Sequence, residues 1–356
     1  MKILLLGEFS GFHNNLKKGL ATLGYEAVVA THGDSFKQLS TDIALGDSST
    51  NIYGKIKRKV VPFIKAKQLL NYDIVQFVNS NPLTVFGPNK YLYSKILDSA
   101  KKKFLSASGD DPVFLSNLNL FQYHPYMCLD RSGKSKIPKI TKIEKDTHEL
   151  IVKKVDGIIP VLYEYSTVYE GNPKRTLTIP LPISTSEIKY SDNIAGNKLH
   201  FFHGLNREFF KGTEFMVKAL NKLESKYPND VKVTVAGKMK LTDYLKTLNE
   251  ANVILDQCKV YSYAMNSLYA MALGKVVLSG ADERSLANLG IAKADCPIIN
   301  ITPDADQIYE QLLMLLDQKN TMVDRGQKSR KYIQDHHEAE KVAKTYLKTW
   351  GVTRSL

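Results

Sequence analysis

Cysteine is scarce: the 356 residues hold three, Cys128, Cys258 and Cys296, far apart and without metal-ligand spacing. That excludes a disulfide-stapled scaffold and a zinc module, and it gives the expectation of free thiols in a reduced, cytoplasmic compartment. Glycine and proline, at 21 and 13, are not enriched, which excludes collagen-like and low-complexity chains. No apolar run approaches the roughly 20 residues of a membrane span; Gly157-Ile158-Ile159-Pro160-Val161-Leu162 is typical of the longest. The start, MKILLLGEFSG, lacks the extended apolar core and small-residue cleavage site of a signal peptide and is expected to form a first strand. There is no repeat at a solenoid period and no nucleic-acid-binding motif, so no nucleic-acid partner is expected.

Acids are the other shortage. Asp and Glu number 36 against 49 Lys and Arg, a net charge of +13 that is unevenly spread. Residues 51–103 carry eleven bases (55, 57, 58, 59, 65, 67, 90, 95, 101, 102 and 103) against Asp73 and Asp98, a local +9. Such a field draws the phosphates of nucleotides or of an anionic lipid surface; a solvated basic face is the plainer alternative.

What is present is an alternating α/β pattern long enough for two domains. Short runs rich in Val, Ile and Leu at 2–7, 25–31, 72–78, 102–108, 156–161 and 176–180 predict parallel strands covered on both faces. A helix is expected over LKKGLATLG, closed by Gly24, whereas 45–70 and 110–150 show no clear pattern. The alternation breaks at Pro180-Leu181-Pro182 and the polar stretch 184–197, which marks a linker. A second series follows, with strands at 198–204, 231–237, 252–257, 275–280 and 297–301 and helices at 213–225, 242–250, 305–318 and 321–333. Another helix opens just after the YSYAMN loop. The last helix, 338–350, carries Val342, Tyr346, Leu347 and Trp350 at helical spacing. The expected division is a Rossmann-like domain over 1–190, a second over 191–335, and a C-terminal helix over 336–356 packing back towards the first.

In doubly wound sheets ligands lie beyond the carboxyl ends of strands, where helix N-termini attract anions. Arg207 and Lys211 stand four apart, between a strand end and a helix start; a guanidinium plus an ammonium suits a diphosphate, and two surface bases are the alternative. The helix opening near Tyr263, Ala264 and Met265 offers backbone N–H groups, although Met265, Leu268 and Ala272 also form a core stripe. The loop GEFSGFHNN, with Gly7 and Gly11, resembles half of a phosphate loop and carries His13. Asp110 and Asp111 follow a strand, where a carboxylate can orient or deprotonate a hydroxyl; Gly-Asp-Asp-Pro is equally good turn chemistry. His124 is a further candidate for the same role.

Taken together, HGLNREFFKGTEFMVKAL, VAGKMKLTDYL, VILDQ, YAMALGKVVLSG and SRKYIQDHHEAEKVA, in that order, resemble a GT-B glycosyltransferase of the retaining, metal-independent group called family 4. The resemblance implies an α/β chain of GT-B architecture, two doubly wound Rossmann-like domains facing across a cleft. It implies no metal or cofactor, and a donor that is a nucleotide-diphosphate sugar, UDP- or GDP-linked. By position, Arg207 and Lys211 would hold the diphosphate, and Met239 and Leu241 would lie by the base. Ser262 to Asn266 would meet the sugar and phosphates, and Gly7 with the loop to His13 would close the site. Where the family has two glutamates with seven residues between them, this chain has Tyr261 and Tyr269, which carry no charge near neutral pH. Tyr263, Asn266 or Glu283 would then supply polar contacts. The implied acceptor is a glycan or lipid-linked glycan, with 51–103 turned to an anionic membrane surface on its cytoplasmic side.

Overall fold

The first strands form where aliphatic side chains run unbroken. β1 (Lys2–Leu6), β2 (Glu26–Thr31), β3 (Ile43–Ala44), β4 (Ile74–Phe77), β5 (Lys102–Ala107) and β6 (Gly157–Pro160) make one sheet in the order β3-β2-β1-β4-β5-β6, every pairing parallel. α1 (Phe12–Thr22), α2 (Ile52–Ile64), α3 (Asn89–Ser99), α4 (Pro112–Ser116) and α5 (Lys142–Lys154) lie between these strands in the chain, and α6 (Tyr163–Val168) follows the last of them. The computed structural model describes residues 1–33, 40–47, 49, 51–83, 89–127, 137–205, 207–237 and 241–352.

A second parallel sheet holds β7 (Leu199–Gly204), β8 (Val231–Ala236), β9 (Val253–Leu255), β10 (Val276–Ser279) and β11 (Ile299–Asn300) in the order β11-β10-β9-β7-β8. Its helices are α7 (Glu208–Lys211), α8 (Thr213–Lys226), α9 (Leu241–Glu250), α10 (Met265–Ala272), α11 (Glu283–Asn288), α12 (Ala305–Asp317) and α13 (Met322–His336). A core of Leu199, Phe201, Met216, Leu220, Val253 and Leu312, among others, lies between α8, α12 and this sheet. Strand orders of these two kinds belong to doubly wound α/β folds.

The chain divides by packing into 1–117 with 138–184 and 338–356, and 118–137 with 185–337. The final helix, α14 (Ala339–Thr349), therefore completes the first unit. Residues 118–127, placed by chain order in the first domain, pack with the second unit instead.

Three local differences from the expected elements have physical causes. TLTIP (176–180) is not a strand. Ile158 donates to Lys174 O and Thr176 to Ile158 O, but the next donor in that ladder is Pro160, which has no N–H. α5 escaped the hydrophobic pattern, yet Thr141 and Glu144 form a capping box at its start, a sequence-level signal. α1 begins at Phe12, not at Leu16, so His13 sits in a helix and not in a loop. Among the described residues no helix is long and apolar enough to cross a membrane.

Candidate functional site

A ligand crevice in an open parallel sheet lies where the strand order changes direction. In the second unit that point is between β7 and β9, and the residues there form one connected network. Beyond β7, Arg207 turns the chain with φ 57, a left-handed conformation uncommon for a residue with a side chain. Arg207 is exposed, and its guanidinium lies over the Phe210 ring, 4.1 Å from the centroid. Lys211 ends α7 and is nearly buried; its Nζ donates to Asp256 Oδ1 at 2.6 Å. Asp256 directly follows β9 and also accepts from Asn266 Nδ2 at 2.9 Å and from Ser267 Oγ at 2.7 Å, both on α10. Burial alone would raise the Asp256 pKa. The Lys211 ammonium, with the Ser267 and Asn266 donors, outweighs it and holds the carboxyl below its ordinary value.

His203 braces the same place from within β7. Its Nδ1 meets Leu255 O at 2.9 Å and its Nε2 meets Thr213 Oγ1 at 2.8 Å. The carbonyl can only accept, so Nδ1 carries the proton, and burial pushes the pKa down to about 4. This neutral histidine ties β7 to β9 and to the start of α8. It was missed in the sequence because a histidine inside an apolar strand gives no signal of its partners.

α10 begins after Ala264 with no side chain capping its first turn, which leaves its N-terminus suited to an anion. Ala264, Asn266 and Tyr269 are half-buried, and the last two share a face three residues apart. Ser262 is buried, and its carbonyl accepts from Gln257 Nε2. The side chains of Tyr263 and Met265 are buried in the core. The Tyr263 hydroxyl is 2.7 Å from Tyr332 Oη and 3.0 Å from His337 Nε2, inside the unit.

Tyr261 is also buried, stacked on Tyr123 at 4.4 Å with 8° between the planes, and its hydroxyl accepts from the Gln122 backbone N–H. The Arg284 guanidinium lies 4.6 Å from its ring centroid. Tyr261 therefore serves as an aromatic dock for the 118–127 segment, whose Tyr126 also packs edge-on against Phe210. That segment's three rings in FQYHPY were the available clue. Its His124 is half-buried, its pKa lowered by burial and by Lys259. Glu283 makes a surface ion pair with Lys293. Leu241 opens α9, and Met239 lies outside the described residues.

In the first unit the corresponding point lies between β1 and β4. Gly7 follows β1 at φ 87, and a Cβ there would stand 2.4 Å from Val78 Cγ1. His13 is buried with Nδ1 on Gly7 O at 2.7 Å, and burial drives its pKa to about 3, so it is not placed as a proton carrier near neutral pH. Asp110 is exposed in the turn after β5. Asp111 is the N-cap of α4: Oδ1 accepts from the N–H groups of Val113 and Phe114, and Tyr169 Oη lies 3.0 Å from Oδ2 and 3.3 Å from His148 Nε2. Turn chemistry thus accounts for Asp111, and a role as general base does not fit its enclosure.

Burial raises the Asp111 pKa despite these donors. A raised folded-state pKa favours folding at low pH, and that contribution is lost as pH rises from the unfolded value of about 4 through the folded one. Asp111→Asn is therefore expected to change stability at neutral pH by no more than about 1 kcal/mol, because Asn caps as well as Asp without a buried charge. Asp111→Ala should lose about 1–2 kcal/mol with the cap. Urea midpoints at pH 7 decide; a large loss in Asp111→Asn would mean that the charge itself is needed.

No family model and no curated protein matches this chain. Among solved structures it is similar to sucrose-phosphate synthase from Thermosynechococcus elongatus, at 14% identity and a TM-score of 0.65 over 99% of this chain and 100% of that one. It is similar to Anabaena HepE in complex with UDP-glucose, at 11% identity and 0.64 over 99% and 100%. It is also similar to a Listeria monocytogenes protein assigned as a UDP-N-acetylglucosamine 2-epimerase, at 13% identity and 0.56 over 98% and 94%. Identities this low show the fold alone, and that fold is the α/β GT-B architecture of two parallel sheets with flanking helices.

Proposed function

We propose that this chain is a glycosyltransferase of the retaining, metal-independent, family 4-like kind. It moves a hexosyl-type sugar from a UDP- or GDP-linked donor to a hydroxyl of a glycan or lipid-linked glycan, in surface polysaccharide or glycoconjugate synthesis. The second unit takes the donor and the first the acceptor. The observation that carries this reading is the convergence of Lys211, Asp256, Asn266 and the uncapped start of α10 at the β7/β9 switch point. An ammonium has three N–H groups, so Lys211 keeps donors for a phosphate while Asp256 holds it in place. Arg207, one turn earlier and exposed, supplies a guanidinium for the same diphosphate. Fixed donors at a departing diphosphate stabilise the charge that develops as the sugar leaves. HepE, a fold neighbour, was solved with UDP-glucose, which favours UDP in this reading.

A screen of UDP, GDP, ADP and CMP sugars by thermal shift tests it, because a ligand bound only by the native state raises the melting temperature. One nucleotide class should stand out, and Arg207→Ala should weaken it by about 1.5–3 kcal/mol, about ten- to a hundredfold. No shift with any nucleotide sinks the donor site; an unchanged affinity in the variant removes Arg207 from it. A second reading, a catalytically silent nucleotide-sugar-binding or regulatory protein, is favoured by Tyr261 and Tyr269 in place of two acids. Tight binding without sugar transfer or donor hydrolysis would select it.

A further inference from the structure

α2 is amphipathic in the reverse sense. Ile52, Ile56, Val60 and Ile64 follow one another at four-residue steps, and Tyr53 falls on the same side. These are the residues that face solvent: Ile52 is 77% exposed, Ile64 74%, Tyr53 68%, Ile56 54% and Val60 43%. The inward side holds Gly54, Arg58 and Pro62. Arg58 Nη1 donates to the carbonyls of Asp47 at 2.7 Å and Ser49 at 2.6 Å, and a Cβ on Gly54 would stand 2.1 Å from Ser49 Oγ. Asn51 caps the helix by accepting from the Gly54 N–H at 2.8 Å. Together these contacts fix the helix about its axis. Rolling the isoleucines inward would break both Arg58 bonds and drive a side chain into the space that only Gly54 fits.

Single exposed apolar residues are ordinary, but five on one face of one helix mark an interaction surface. Its flanks say which kind. Lys55, Lys57 and Lys59 border the face, and the stretch between Asp47 and Asp73 holds six bases and no acid. Hydrocarbon for the isoleucines and phosphates for the lysines are both offered by an anionic bilayer, and Tyr53 suits the headgroup level. We infer that α2 lies in the headgroup layer of an anionic membrane and inserts Ile52, Tyr53, Ile56, Val60 and Ile64 below the phosphates. The inference makes specific the anionic surface that the charge of 51–103 leads one to expect, and it is independent of sugar transfer.

The test is co-sedimentation of the full chain with phosphatidylcholine vesicles, with and without about a third phosphatidylglycerol. Binding is expected to the anionic vesicles and to fall, without vanishing, at high salt, because screening weakens the lysines but not the apolar insertion. Ile56→Ser with Ile64→Ser should lower binding about tenfold or more. Its melting temperature should match the parent, since both side chains already face water. In a Tyr53→Trp variant the new indole should shift to the blue on vesicle addition. The inference is overturned if the parent stays in solution with anionic vesicles, or if the double variant binds as well as the parent. It is equally overturned if the parent is a dimer that the double variant splits, since the face would then belong to a second copy. Nucleotide binding measured on the same preparations separates failure here from failure of the donor site.

Discussion

Lys211→Met should lose about 3–5 kcal/mol of stability and, in the same molecule, the grip on a nucleotide diphosphate. The stability loss comes from Asp256, not from the lysine. In the parent the carboxylate is 1% exposed and has an ammonium at 2.6 Å. Removing the ammonium leaves a buried charge with only the Asn266 and Ser267 donors, too few to replace hydration. Adding Asp256→Asn to Lys211→Met removes the charge while keeping an acceptor for Ser267, and most of the lost stability should return. Nucleotide binding should not return, since neither substitution restores a cation. That double variant separates the two effects.

The same pair has a pH signature. The folded-state pKa of Asp256 is depressed, so its stabilising contribution is present above the unfolded value of about 4 and is lost as pH falls through the folded one. In Lys211→Met only the burial effect and two weaker donors remain, and the pKa moves upward. The gap between parent and variant should therefore be full at pH 7 and close in acid. A gap that stays constant down to pH 3 would show that lost packing, not the unpaired carboxylate, causes the instability.

How much of this was legible in the sequence depends on the range of the interaction. Uninterrupted aliphatic runs report strands covered on both faces, and those runs were enough for two parallel α/β sheets. Lys211 and Asp256 could each be placed after a strand, but 45 residues separate them and no local pattern says that they meet. Tyr261 looked like a replaced acid because alignment to a motif sees only the position. Its partners, Gln122 and Tyr123, come from a segment nearly 140 residues upstream. His13 failed at shorter range: the helix began four residues earlier than the aliphatic pattern indicated, which carried the imidazole from a loop into the interior. α2 escaped for another reason: its apolar residues recur at four-residue steps, but Pro62 lies inside it, and proline ordinarily argues against a helix interior.

Trp350→Ala should destabilise the first unit by about 3–5 kcal/mol from the cavity alone, with more from a stranded acceptor. The stripe Val342, Tyr346, Leu347 and Trp350 was visible in the sequence, and all four are buried. What the stripe packs on was not visible. α14 starts against Gly19 of α1, where a Cβ would stand 2.0 Å from the Ala339 carbonyl oxygen, so the two helices approach at backbone distance. It ends with the Trp350 ring near Phe104 and Tyr346 and with Nε1–H donating to Gln76 Oε1 at 3.1 Å. Gln76 is a fully buried residue of β4, next to β1 in the sheet, and its Nε2 is already given to Ser106. Lys102 closes the helix by donating to the Trp350 carbonyl at 2.7 Å. Trp350→Phe keeps an aromatic ring and removes only the N–H, so it should cost about 1–3 kcal/mol, the penalty of one buried unpaired amide oxygen. Hydrogen exchange gives the local readout: amides of α14 and β4 should lose protection in Trp350→Ala, while those of β7 and β9 keep theirs. Equal loss in both sheets would mean that the C-terminal helix stabilises the chain as a whole and not the first unit that it completes.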